Sequence, residues 1–402
     1  METSTQRGRR IGAGVSVAVL FATGLTASGA ATVEPSTRLA SPAPTAGSSA
    51  RALSLRVTVA ERGLDIPWDV AVLPNGDWLV TERDRQRILL RTVTGRLRVL
   101  AAQPAGFWSS GETGLMSIAA DPSFVRNSRF YVCTGYETNG RHGIRVIAWK
   151  LNARHTDARR VETLLRGIQI TSGRHGGCRL RFGRSGALYV GTGDSAVTSN
   201  AQNRQSLNGK VLRLNRFTGR AWPTNPFTNA DNRKKRFVFT YGHRNVQGLA
   251  LRPGGVMWSV EHGTYRDDEV NKLVPGGNYG WRPGPGYDES RPMTDYRIPG
   301  RQRGAKWRSG YPTIATSGAT WVRGRQWGAY RGALAVCALG GERLLFLKFG
   351  PRGALKWARA PDRLRGDYGR LRSVKQVHGG PLLVTTSNGG GGDKILRVSP
   401  VR

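Results

Sequence analysis

The sequence predicts an all-β chain, a six-bladed β-propeller of four-stranded antiparallel blades. Two observations carry that expectation. The composition is rich in turn and packing residues, with 54 glycines and 11 tryptophans, and almost no stretch has helical periodicity. In addition, short alternating strands joined by a turn of "Pro or Gly, then Gly" recur six times at irregular spacings of roughly 45–70 residues, somewhat longer than the common repeat propellers. A ring of such units limits exposed sheet edges and places functional residues in the loops and strand starts at one end of a central channel.

The units follow in order. Residues 66–76 give a strand and a turn, followed by strands at 77–82 and 87–92. The pattern returns at 114–122, with strands at 129–134 and 144–151. The third unit is the hairpin of 172–195, with 209–214 as its outer strand. The fourth comprises 247–253 and 256–261, the fifth 316–322, 332–338 and 343–348, and the sixth 370–377, 381–386 and 394–398.

The third unit has the most informative polar residues. His175 precedes two glycines and the alternating run Arg179 to Phe182; after the turn, Ala187 to Val190 leads into Gly-Thr-Gly-Asp194. An antiparallel hairpin then brings His175 and Asp194 to one end of the sheet. A carboxylate beside a histidine fixes the tautomer and favours the imidazolium, which is what a general base needs. The bland alternative is a histidine capping a strand and an aspartate closing a turn.

The ends and the charge set the setting. Residues 1–31 read as an export signal, with Arg7, Arg9 and Arg10 before the apolar stretch Ile11 to Leu25 and small residues Ser28-Gly-Ala30 at a cleavage site. Either the general or the twin-arginine route would suit it. Residues 32–52 read as a disordered Ser/Pro/Ala-rich linker and 53–402 as the propeller. No later segment is apolar enough to span a membrane, so the mature protein is expected outside the cytoplasm, secreted or periplasmic. The net charge of +36 is spread along the chain without a basic helix, zinc-finger spacing or aromatic–basic strand signature, which argues against nucleic acid and leaves adhesion to anionic polymers open. Of three cysteines, Cys133–Cys178 is the expected pair, with Cys337 buried and free; three buried thiols are the alternative.

Four motifs in fixed order, HGG…LYVGTGD from His175, GHRN-x-QG from Gly242, EHG…DDE-x-N from Glu261 and GGNYGW from Gly276, resemble the glucose/sorbosone dehydrogenase family. These are soluble quinoproteins that use pyrroloquinoline quinone (PQQ) and calcium, and the resemblance spans about Leu55 to Val401. It implies oxidation of an aldose at the anomeric carbon to the lactone, with electrons leaving to an external acceptor. By position, His175 matches the base that takes the anomeric hydroxyl proton as hydride leaves for the quinone, and Asp194 the carboxylate orienting it. Arg244 matches the arginine over the quinone oxygens and Asn245 its neighbour at the cofactor. Gly263 and Thr264 match two calcium ligands acting through backbone carbonyls, with Thr264 where the family often has proline. Arg370 and Arg372 match a pair that neutralises the cofactor's carboxylates, and an Arg-x-Arg on a strand points both side chains the same way. Glu112 falls where the family places a polar residue near the substrate.

Gly340 departs from the pattern, standing where the family has a cofactor-contacting lysine. Two other functions are therefore weighed: a carbohydrate- or surface-binding propeller with an eroded cofactor site, and a calcium-dependent hydrolase built on Glu112, Asp194 and Glu261. The remaining histidines, His142, His155, His243, His262 and His378, read as loop, packing or supporting residues. Asp267, Asp268 and Glu269 read as a loop that hydrogen-bonds its own backbone. Trp281, Trp321 and Trp327 read as blade packing, with sugar stacking at the channel rim as an option for an aromatic there.

Overall fold

A computed structural model describes residues 54–401; the segments read as an export signal and a linker lie outside them. Twenty-four strands form six four-stranded antiparallel sheets around a channel, and the only α-helix among the described residues is the four-residue turn Phe124–Asn127. Blade 1 is β2 (Pro67–Val72), β3 (Trp78–Glu82), β4 (Arg87–Arg91) and β5 (Leu97–Ala102). Blade 2 is β6 (Leu115–Ala120), β7 (Arg129–Thr138), β8 (Arg141–Leu151) and β9 (Ala158–Gln169). Blade 3 is β10 (Gly177–Phe182), β11 (Leu188–Thr192), β12 (Lys210–Leu214) and β13 (Val238–Tyr241). Blade 4 is β14 (Val246–Leu251), β15 (Met257–Glu261), β16 (Glu269–Lys272) and β17 (Trp307–Arg308). Blade 5 is β18 (Thr316–Trp321), β19 (Leu334–Ala338), β20 (Arg343–Phe349) and β21 (Leu355–Arg359).

Blade 6 closes the ring. Its strands β22 (Leu371–Gln376), β23 (Leu382–Thr386) and β24 (Asp393–Pro400) are completed by β1 (Leu55–Leu64), which pairs with β24 through contacts such as Val57 opposite Val398. Sequence reading missed this closure and most outermost strands, and it placed 209–214 at the edge of blade 3, where β13 in fact lies outside it. The outer strands are largely exposed or half-buried, with one buried residue in β5 and none in β21, so hydrophobic alternation is weak there.

The innermost strands share one irregularity. Each loses register with its neighbour near the start, at Pro67/Asp69, Leu115/Ile118, Gly177/Arg179, Val246/Gly248, Thr316/Ala319 and Leu371/Ser373. A bulge breaks the period-two rule and re-aims a side chain. In blades 1, 4 and 6 the extra residue is Trp68, Gln247 or Arg372, and these meet: Arg372 donates to Gln247 Oε1 at 3.2 Å and lies 5.5 Å over the Trp68 ring. The expectation that Arg370 and Arg372 share a direction fails for this reason. Arg372 is buried at the bulge, whereas Arg370 is exposed just outside the strand.

Apolar side chains fill the spaces between blades, and the channel is polar. Asp69 of β2 accepts from Ser117 of β6 (2.7 Å) and Ser373 of β22 (2.7 Å) and pairs with Arg179 of β10 (2.8 Å), whose Nε donates to the Gln247 carbonyl of β14 (2.8 Å). One ionic cluster thus ties five of the six inner strands. Cys133 of β7 and Cys178 of β10 form the expected disulfide between blades 2 and 3, and Cys337 is buried and free. The bridge spans a sequence separation of 45 residues. Replacing both cysteines by serine is expected to cost about 2–4 kcal/mol in reversible urea unfolding; an unchanged midpoint would refute a stabilising role.

Candidate functional site

The site is assembled at the channel end where the innermost strands begin. His175 lies two residues before β10 with φ 54°, and Asp194 two residues after β11. The backbone fastens them together: the Ser195 N–H donates to the His175 carbonyl at 3.3 Å and the Asp194 N–H to the Arg244 carbonyl at 2.8 Å. This close approach requires Gly193, where an added Cβ would stand 1.9 Å from the His175 carbonyl oxygen. The glycines around the histidine therefore let three chain segments meet beside it.

His175 Nδ1 is 2.9 Å from Asp194 Oδ1, with both residues buried. The acceptor-only carboxylate places the proton on Nδ1, and Nε2 has no partner among the described residues. Asp194 is itself saturated. Its Oδ2 accepts from Trp281 Nε1 (2.7 Å) and the Tyr287 hydroxyl (2.6 Å), and its Oδ1 from the Ala196 N–H (2.9 Å). Trp281 therefore carries an indole donor to the orienting carboxylate, beyond the packing role expected of it. Burial and the neighbouring Asp194 charge push the Tyr287 phenol well above its ordinary range, so it stays a donor.

Glu112 links the base to the next blade. Its carboxylate accepts the His175 N–H, the Asn245 amide (3.0 Å) and the Gln247 amide (3.3 Å). Burial works against this charge, but the His175 and His262 rings, the His175 N–H and the Asn245 amide outweigh it and hold the carboxyl below its ordinary range. Arg244 is nearly buried, pairs with Glu289, and reaches the His262 carbonyl at 3.3 Å; Glu289 also meets Arg174. His175, Asp194, Glu112, Arg244 and Asn245 thus form one connected group, with Arg372 joined to it through Gln247.

Among the described residues Arg372 meets no carboxylate; its partners are Gln247 and the Ser387 hydroxyl at 3.4 Å. Burial, with other arginines nearby, pushes its guanidinium down to about 9, so it is still charged at neutral pH. A buried unpaired cation suits an anionic group. Beside it, burial pushes the His262 imidazole down to about 4, and its Nε2 is buried without a partner.

Gly263 and Thr264 lie in the loop after β15. Asp268 holds that loop by accepting the Gly263 N–H (2.9 Å) and the Ile314 N–H (2.7 Å). The Gly263 and Thr264 carbonyls accept no hydrogen bond from the described residues, so two hard oxygen donors are available. Behind them Glu261 pairs with His243 (2.9 Å), and burial together with Glu261 pushes Glu269 up to about 7. Among the described residues no group of three or more His, Cys, Asp or Glu side chains could hold a metal; Glu112, Asp194 and Glu261 each serve different donors. At Gly340 an added Cβ would meet only ordinary contacts, the nearest at 3.5 Å, and Arg343 is bent back onto the Gly341 carbonyl.

Sequence reading did not single out Tyr287, Glu289 or Gln247 for a role. The first two lie in the long connection between β16 and β17, which carries no periodic signal, and Gln247 turns inward only because of the bulge.

Comparison with known proteins identifies the family. The family model described as glucose/sorbosone dehydrogenase matches residues 64–397. The aldose sugar dehydrogenase of Escherichia coli is 30% identical over 232 residues, 57% of this chain and 62% of that protein. Quinoprotein glucose dehydrogenase B of Acinetobacter calcoaceticus is 30% identical over 241 residues, 54% of this chain and 49% of that one. The chain thus spans about half to three fifths of the length of these two relatives. Among solved structures, the PQQ-bound aldose sugar dehydrogenase of Streptomyces coelicolor is 31% identical with a TM-score of 0.70, over 86% of this chain and 98% of that one. A glucose dehydrogenase structure is 28% identical with a TM-score of 0.77, over 86% and 100%. With six four-stranded blades, the motifs in order and a match over most of its length, this chain belongs to the glucose/sorbosone dehydrogenase family.

Proposed function

We propose that this protein is a secreted quinoprotein that oxidises an aldose at its anomeric carbon to the lactone, using PQQ and calcium and passing electrons to an external acceptor. The observation that carries this reading is the His175–Asp194 pair set beside Arg244, Asn245 and the uncompensated Arg372 at one channel mouth. The donor set suits a planar polyanion: Arg372 and Arg370 for its carboxylates, Arg244 and Asn245 for its carbonyl oxygens. The Gly263 and Thr264 carbonyls would supply part of a calcium shell, the remaining ligands coming from the cofactor. When bound, the quinone supplies the two-electron acceptor.

The chain's own residues manage the proton. With its Nδ1 proton held on Asp194, His175 accepts the anomeric hydroxyl proton at Nε2, and Asp194 stabilises the resulting imidazolium. Glu112 and the Tyr287 hydroxyl restrain the base from two sides, through its backbone N–H and its ring. Arg244, anchored by Glu289, presents a fixed guanidinium to negative charge developing on the acceptor.

The test is a titration of the mature protein with PQQ in millimolar calcium, followed by absorbance, then aldoses and a redox dye with His175→Ala as control. Saturable binding and dye reduction that vanish in the variant are expected; no binding would overturn the proposal. Gly340→Lys, for which the backbone has room, is expected to tighten PQQ binding about ten- to a hundredfold by adding one charge-assisted contact. An unchanged dissociation constant would show that the clamp does not need that position.

A further inference from the structure

The innermost strands start at the candidate site and end at the opposite mouth of the channel, where their last residues line a cavity of about 330 Å³. Its charged lining is Arg181 at the end of β10, Lys375 at the end of β22 and Arg323 just after β18, with His378 nearby. No acidic residue lines it. Below them Arg179 and Asp69 hold each other, so this pair cancels and leaves three cations around the cavity.

Two further observations point to a ligand. Arg181 makes no ion pair among the described residues, and Lys375 reaches Asp69 only at 3.6 Å. Burial, with Arg181 and Arg179 nearby, pushes the Lys375 ammonium down to about 8 against the opposing charge of Asp69, and burial, with Arg323 and Arg179 nearby, lowers Arg181 against the same carboxylate. A folded chain holding like charges this close gains most from a group that neutralises several at once.

We infer that this second mouth is a binding site for one compact multivalent oxyanion, gripped by Arg181, Lys375 and Arg323. Two guanidiniums and one ammonium lining one cavity suit tetrahedral phosphate or clustered carboxylates, and the volume lies at the lower end of small-ligand pockets. This site is separate from the dehydrogenase site and does not depend on PQQ.

Calorimetric titration of the mature protein with inorganic phosphate, and separately with citrate, at constant ionic strength is the test. Saturable binding of one anion per chain is expected, with whichever of the two binds more tightly identifying the preferred class. Arg181→Gln with Lys375→Gln should weaken it at least tenfold, whereas Arg159→Gln on blade 2 should leave it unchanged. If the double variant does not fold, Arg323→Gln, at an exposed rim position, should still weaken binding severalfold. Phosphate and citrate indistinguishable from chloride, or wild-type affinity in the folded variants, would overturn the inference.

Discussion

Asp194→Asn is expected to lower kcat for aldose oxidation by about 10⁴-fold while the protein still folds and binds PQQ, because an orienting carboxylate turned into an amide leaves a catalytic histidine in the wrong tautomer. The local geometry makes the loss specific. Asp194 now accepts from four donors: the His175 Nδ1–H, the Tyr287 hydroxyl, the Trp281 indole and the Ala196 N–H. Asparagine has one acceptor oxygen and an NH₂ that cannot accept. If the oxygen keeps Trp281 and Tyr287, the NH₂ faces His175 and drives its proton to Nε2, the nitrogen that must accept from substrate. If the oxygen keeps His175, two buried donors lose their partner. Tyr287→Phe, which removes only one donor, should cost far less, about ten- to a hundredfold, and should alter the pH profile more than KM. A kcat for Asp194→Asn within tenfold of wild type would remove the histidine–aspartate pair from the reaction.

The sequence shows the blades wherever the inner strands alternate cleanly, and it shows the histidine–aspartate pair because one hairpin carries both residues. The features it hides have physical causes. The closing strand β1 is separated from β24 by the whole chain, so no local pattern announces their pairing. Arg372 and Gln247 turn into the channel through bulges, and a bulge reverses the parity on which strand reading depends. Tyr287 and Glu289 come from a long irregular connection, where only tertiary contact gives a residue meaning. Trp281 was legible as buried but not as a donor, since burial follows from side-chain type and the direction of one N–H does not.

The largest effect on stability is expected at the channel axis, from Asp69→Ala. Removing the carboxylate leaves Arg179 buried beside Trp68 with no counter-charge, and leaves the Ser117 and Ser373 hydroxyls without their acceptor. Breaking a buried ion pair from one side costs about 3–5 kcal/mol, because the remaining charge stays desolvated. Asp69→Asn should cost less, since an amide oxygen can keep one serine while the counter-charge is lost. Burial alone would raise the Asp69 pKa, but Arg179, Lys375 and the two serines outweigh it and lower the group from 3.8 to about 2. A carboxyl whose pKa is depressed by folding stabilises the native state fully above its unfolded value and loses that contribution as pH falls through the folded one. The stability gap between wild type and Asp69→Asn, measured by reversible urea unfolding, should therefore be constant from pH 7 to about 5 and shrink between about pH 4 and 2. A gap that is small at neutral pH, or that widens on acidification, would mean that the blades are held in register without the ionic cluster, and that the polar channel serves something other than stability.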